Sequence, residues 1–128
     1  MANSFLEHVN VTVSDPVATA NRLVNWFGWH IRWQGPAMNT GTTVHVGTDS
    51  SYIAVYTSNT ESEGAGNTYK TRGGLNHIGV VVDDLDAAEK KILADGYKTR
   101  NHGDYEPGRR FYFEDEDGIE FEVVSYAS

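Results

Sequence analysis

Apolar and polar positions alternate from residue 6 to residue 13: Val9, Val11 and Val13 fall on one side, His8, Asn10 and Thr12 on the other. That is the period of a half-buried strand. Ser14-Asp15-Pro16 follows, a capping residue ahead of a proline at the first helical position. Val17, Ala20, Leu23, Val24 and Phe27 then recur at helical spacing up to Gly28, which predicts a helix stopped by glycine. Strand patterning returns over Trp29 to Gln34, Thr42 to Val46 and Tyr52 to Tyr56, separated by the turn residues Gly35-Pro36 and Gly47-Thr48-Asp49-Ser50. The predicted order is β-α-β-β-β.

Residues 58 to 74 are polar and glycine-rich, the composition of a linker or mobile loop. Beyond them the first pattern is written again. Leu75 to Asp84 repeats Leu6 to Asp15, which makes His77 the counterpart of His8. A helix capped by Asp83 or Asp84, with Leu85, Ala88, Ile92 and less regularly Leu93 as its apolar positions, ends at Gly96, the counterpart of Gly28. The echo continues at the same offset as the two glycines in Trp29 with Tyr97, Arg32 with Arg100, and Gly35 with Gly103. Strands are expected at Tyr97 to Asn101, Arg110 to Phe113 and Ile119 to Val124, the last two joined by Glu114-Asp115-Glu116-Asp117-Gly118, whose Asp-Gly pair suits a tight reversal. The duplication predicts an α+β fold of two tandem βαβββ modules, residues 5–57 and 75–126, joined by the linker. Halves of about 64 residues are marginal alone, so they are expected to pack as a single domain with the site where they meet.

Composition narrows the partners. A net charge of −8 opposes nucleic acid and anionic membrane surfaces, which need a positive face, and permits a neutral or cationic small molecule. With no cysteine, any metal must be held by imidazole or carboxylate. No apolar run approaches the 18 or so residues of a membrane span, and the N-terminus is neither basic nor apolar, so a cytoplasmic protein is expected.

The strand periods sort the candidate chemistry. Ile78, Val80 and Val82 must meet their helix, which leaves His77 on the opposite face; Ile119, Phe121 and Val123 likewise leave Glu120 and Glu122 opposite, and His8 falls on that kind of face in the first half. Two histidines and one carboxylate suit Fe(II), Mn(II), Co(II), Ni(II) or Zn(II) with positions left open for substrate. A lone strand histidine is usually a surface or hydrogen-bonded residue, and the equivalence of these two in a duplicated unit is what singles them out. Glu120 beside Glu122 is a second carboxylate, more often simply solvated. His45 is a candidate base or a hydrogen-bonded histidine. Arg109 and Arg110 suit an anionic substrate, or offset the acidic turn at 114 to 117. Tyr52 and Tyr56, alternating with Ile53 and Val55, are expected to line a cavity.

The duplicated βαβββ unit, a histidine near the start of each first strand, and the terminal Asp-x-Asp-Gly turn followed by Glu122 resemble the vicinal oxygen chelate superfamily, which contains glyoxalase I, bleomycin-resistance and fosfomycin-resistance proteins and extradiol dioxygenases. The resemblance runs from Leu6 to Val124 and implies a cupped sheet with helices outside. It also implies metal ligands at His8, His77 and Glu122, with catalytic roles for Glu122 and Tyr112, and a homodimer, while Tyr52, Tyr56, His45 and Arg110 are the substrate contacts that the strand pattern and side-chain chemistry suggest. The fourth family position, the counterpart of Glu122 in the first half, holds Ala54, so the four-ligand set of glyoxalase I is not reproduced. The resemblance implies either a metal-dependent enzyme acting on vicinal oxygens, of the dioxygenase or lyase and transferase type, or a binding protein of the bleomycin-resistance kind.

Overall fold

The computed structural model describes residues 3–38, 40–105 and 108–127. The chain divides into two compact units, the first ending at Ser62 and the second beginning at Glu63. The first contains β1 (His8–Thr12), α1 (Pro16–Phe27), β2 (His30–Pro36), β3 (Thr42–Gly47) and β4 (Tyr52–Thr57). The second contains β5 (Ile78–Val81), α2 (Leu85–Ala94), β6 (Thr99–Tyr105), β7 (Gly108–Glu114) and β8 (Glu120–Ser125). The fold is α+β, and each unit has the expected βαβββ order. Among the described residues no helix is long and apolar enough to cross a membrane.

Each unit forms one mixed four-stranded sheet, ordered β1-β4-β3-β2 and β5-β8-β7-β6. The first strand of each runs parallel to the last, and the remaining pairs are antiparallel. Each helix packs on one face of its own sheet, so alternation sends the other half of the strand side chains to an open face.

Local chemistry sets the helix ends. Asp15 Oδ1 accepts from Ala18 N–H at 3.1 Å, Pro16 opens α1, and Gly28 closes it at φ 69° with its N–H on the Val24 carbonyl. Of the two candidate caps on α2, Asp84 is the one used, accepting from Ala87 N–H at 3.0 Å. An Asp84→Ala protein is expected to lose about 1 kcal/mol of stability in urea unfolding. A loss below the error of the measurement would show that the cap is dispensable.

The buried stripe of α1 is rotated from the expected one. Pro16, Thr19, Ala20, Leu23 and Trp26 face the sheet, while Val17 is half exposed. Trp26 carries far more apolar area than Val17 and claims the interior. In the second unit the core is aromatic: Phe113 stacks on Phe121 at 5.2 Å between ring centres and also neighbours Phe111 and Tyr97. β2 runs on through Gly35 and Pro36, read from sequence as a turn, because it is an edge strand where a missing N–H is tolerated.

The corresponding edge strands β2 and β6 both bulge, β2 between Ile31 and Trp33 and β6 between Arg100 and Gly103. The second bulge turns His102 toward α2, where its Nε2 lies 2.6 Å from Glu89 Oε2, and Thr99 Oγ1 donates to the same oxygen. Burial pushes the Glu89 carboxyl up, but these two hydrogen bonds outweigh it and hold it below its ordinary value. A folded-state pKa below the unfolded one gives stability that is present above about pH 4.3 and lost as pH falls through the folded value. The wild-type melting temperature is therefore expected to fall more steeply between pH 5 and pH 3 than that of Glu89→Gln, which is less stable at pH 6 by about 1 kcal/mol. Parallel curves for the two proteins would refute this.

Candidate functional site

The open face of the first unit carries an aromatic ladder across all four strands. His8 of β1 stacks on Tyr52 of β4 at 4.8 Å, Tyr52 on His45 of β3 at 4.7 Å, and His45 meets Trp33 of β2 at 5.2 Å. The β2 bulge lets Arg32 reach the same face as Trp33, its guanidinium 4.4 Å from the centre of the Tyr52 ring. Burial lowers the pKa of His45, and the charges of His8 and Arg32 add to the effect. Beside the ladder lies a cavity of about 410 Å³ walled by Asn10, Trp33, Met38, Thr43, His45 and Tyr56. His45 and Tyr56 thus line it, whereas Tyr52 stands in the ladder next to it.

The open face of the second unit is charged where the first is aromatic. His77 Nε2 lies 3.0 Å from Glu122 Oε1, and Arg110 Nη1 donates to Glu122 Oε2 at 2.7 Å. Tyr112 sits opposite Glu122 across β7 and β8, hydrogen-bonds to it, and presents its ring edge-on to His77. Burial pushes the Glu122 carboxyl up, and the hydrogen bonds from Arg110, Tyr112 and His77 more than reverse this, holding it below the usual value. Burial, with the Glu122 hydrogen bond and charge, raises the Tyr112 phenol, so it stays protonated at neutral pH.

Two readings of charged residues change. Arg110 does not offset the acidic turn but pairs with Glu122, and Arg109 pairs with Asp86 at 3.0 Å. It is Arg100, opposite Tyr112 in the β6–β7 register, that meets Glu114 at 2.9 Å and Glu120 at 2.6 Å. Glu120 is buried rather than solvated, and Tyr69 of the glycine-rich segment donates to its other oxygen. That bond is the first cause that pushes the Tyr69 phenol up to about 12.

Sequence reasoning passed over the residue before each histidine. Glu7 Oε1 lies 2.9 Å from His8 Nδ1, and Asn76 Oδ1 lies 2.6 Å from His77 Nδ1. An acceptor holding Nδ1–H leaves the lone pair on Nε2, the arrangement that outer-shell partners impose on metal-binding histidines. The signal was the recurrence of a side-chain acceptor at both equivalent positions. A proton on Nε2 closes the 3.0 Å gap between His77 and Glu122 Oε1 as a hydrogen bond, and a cation between the same two atoms would take its place. Two ligands on one divalent ion, each at about 2.1 Å and at right angles, stand about 3 Å apart. The pair therefore fits a metal ion. Among the described residues no group of three histidine or carboxylate side chains stands ready to hold one.

The model of the glyoxalase/bleomycin resistance protein/dioxygenase superfamily matches residues 5–123. The chain belongs to that superfamily. Solved structures from the superfamily's fold match it over nearly its full length. A glyoxylase/bleomycin resistance protein/dioxygenase domain from Frankia sp. EAN1pec is 20% identical with a TM-score of 0.80, over 97% of this chain and 98% of that one. TnmS3, an antibiotic-binding protein from Streptomyces sp. CB03234, is 18% identical with a TM-score of 0.72, over 98% of each chain. The fosfomycin resistance protein FosX from Listeria monocytogenes, complexed with Mn(II) and sulfate, is 20% identical with a TM-score of 0.70, over 97% of this chain and 93% of that one. No curated protein sequence matches the chain. Within this superfamily member the two units have diverged at equivalent positions: the first has Ala54 and Tyr52 where the second has Glu122 and Glu120.

Proposed function

We propose that the protein is a divalent-metal-dependent enzyme acting on a small molecule, with His8, His77 and Glu122 as metal ligands. The observation that carries this reading is the 3.0 Å approach of His77 Nε2 to Glu122 Oε1, with Nδ1 of the same ring held by Asn76. Fe(II), Mn(II), Co(II), Ni(II) and Zn(II) suit such a donor set. When bound, the ion supplies a Lewis acid for two neighbouring substrate oxygens. The chain's own residues do the rest. Arg110 pins Glu122 Oε2 and so turns Oε1 toward His77. Tyr112, opposite Glu122 on the neighbouring strand, keeps its proton at neutral pH and is a proton donor beside the ligands. His8 comes from the first unit of this chain or of a second copy in a cytoplasmic homodimer.

A complex of the same fold with Mn(II) supports this reading at the level of the fold. Elemental analysis of untagged protein tests it: about one equivalent of metal per ligand set after adding Mn(II), Fe(II), Ni(II) or Zn(II) is expected. Substoichiometric metal that no addition raises would shift the reading to a binding protein without chemistry. Two observations favour that second reading: Arg110 already balances the Glu122 charge, and the first unit has an aromatic-walled cavity. The antibiotic-binding protein of the same fold supports it too. Ligand binding would then survive His77→Ala.

A further inference from the structure

Residues 64–74, whose composition reads as a linker, are tied to the second unit's sheet by a side chain. The Tyr69 hydroxyl donates to Glu120 Oε1, and Arg100 holds the other Glu120 oxygen at 2.6 Å. The Tyr69 ring is 60% exposed whereas Glu120 is 9% exposed, so the hydroxyl and not ring packing makes the attachment. Glu120 shares the open face of the second unit with Glu122, two residues further along β8. Between segment 64–69 and Glu114, Asp117 and Glu120 lies a cavity of about 440 Å³. The segment therefore bridges that end of the face rather than packing on it.

The segment is also built to move as one piece. Asn67 organises it: its carbonyl accepts from Lys70 N–H at 3.2 Å and from the Thr71 hydroxyl at 2.8 Å, and its Oδ1 accepts from Tyr69 N–H at 3.1 Å. Gly74 N–H bonds back to the Thr71 carbonyl at 2.9 Å. Among the described residues the backbone hydrogen bonds of 64–74 stay within it, so no sheet ladder holds it down. Gly66 and Gly73 bracket these turns at φ 72° and 83°. A Cβ at either would meet nothing within 4 Å, so backbone freedom and not packing calls for glycine there. One latch, two free pivots and little buried apolar contact are the makings of a segment that opens locally.

We propose that residues 66–73 form a hinged strap, latched shut on Glu120 by the Tyr69 hydroxyl, that opens as a unit and uncovers Glu120 and the cavity beside it. The inference goes beyond the metal reading and does not rest on it, because none of His8, His77 and Glu122 takes part in the latch.

Lys70 and Arg72 lie in the strap, so trypsin treatment of the full chain tests it. With opening and closing faster than cutting, the rate follows the open population. Tyr69→Phe, which removes the hydroxyl and keeps the half-exposed ring, should be cut after Lys70 and Arg72 about ten-fold faster than wild type. Gly66→Ala, which strains the shut backbone without touching a neighbour, should be cut there about five-fold faster or more. Cutting after Lys90 and Lys91 of α2 should stay unchanged in both, since the fold itself remains closed. Carbodiimide coupling of glycine ethyl ester, read by mass spectrometry, should label Glu120 about ten-fold faster in Tyr69→Phe. Equal strap cutting in wild type and either variant, a parallel rise at Lys90 and Lys91, or unchanged Glu120 labelling would each overturn the proposal.

Discussion

A His77→Ala protein is expected to bind Mn(II) more than about 100-fold more weakly than wild type in competition with a chelating dye, while its melting temperature stays within a few degrees. The ring supplies the imidazole nitrogen that approaches Glu122, and losing it leaves one oxygen where two adjacent ligands stood. The fold is spared because Glu122 keeps its Arg110 partner at 2.7 Å and its Tyr112 hydrogen bond, so no buried charge is orphaned. Asn76→Ala is the companion experiment. It removes nothing that would touch the ion and frees Nδ1, so the imidazole can turn and change tautomer, and affinity should fall about 10- to 100-fold. Undiminished Mn(II) binding by His77→Ala would exclude the ligand set proposed here.

Phe113→Ala is expected to cost about 3–5 kcal/mol, a large part of the roughly 5–15 kcal/mol that holds a domain of ordinary stability together. Phe113 is fully buried, stacks flat on Phe121, and neighbours Phe111 and Tyr97, so three rings would border the hole. Those rings belong to β6–β8 and their approaches, where strand pairing limits how far they can collapse into the space. Thermal unfolding followed by circular dichroism should show the melting temperature down by more than about 10 °C. A drop of only two or three degrees would mean that the core closes over the deletion.

The fold was legible because the chain states it twice. Val9, Val11 and Val13 against Val80, and the glycine stops at Gly28 and Gly96, gave strand, helix and order without a partner structure. The helix phase was less legible: Val17 and Trp26 both fit a helical period, and only the area each buries decides between them. The charged pairs were illegible for a different reason. Arg110 reaches Glu122 through the β7–β8 register, and Arg100 reaches Glu120 because its pairing with Tyr112 sets it on the same face. A one-residue change in either register would send those side chains to the other face. The candidate metal residues were found by their symmetry, but Glu7 and Asn76, one position earlier, stood in the same repeat and carried no hydrophobic signal.

The two units share one further device: the bare Cα of Gly35 lies under the indole of Trp33, and that of Gly103 lies under the ring of Tyr105. A methyl group at either place would lift the ring like a wedge under a door. Only the half-exposed Trp33 ring stands against a side chain at position 35, so the cavity wall can be retuned either by exchanging that ring or by raising what it rests on.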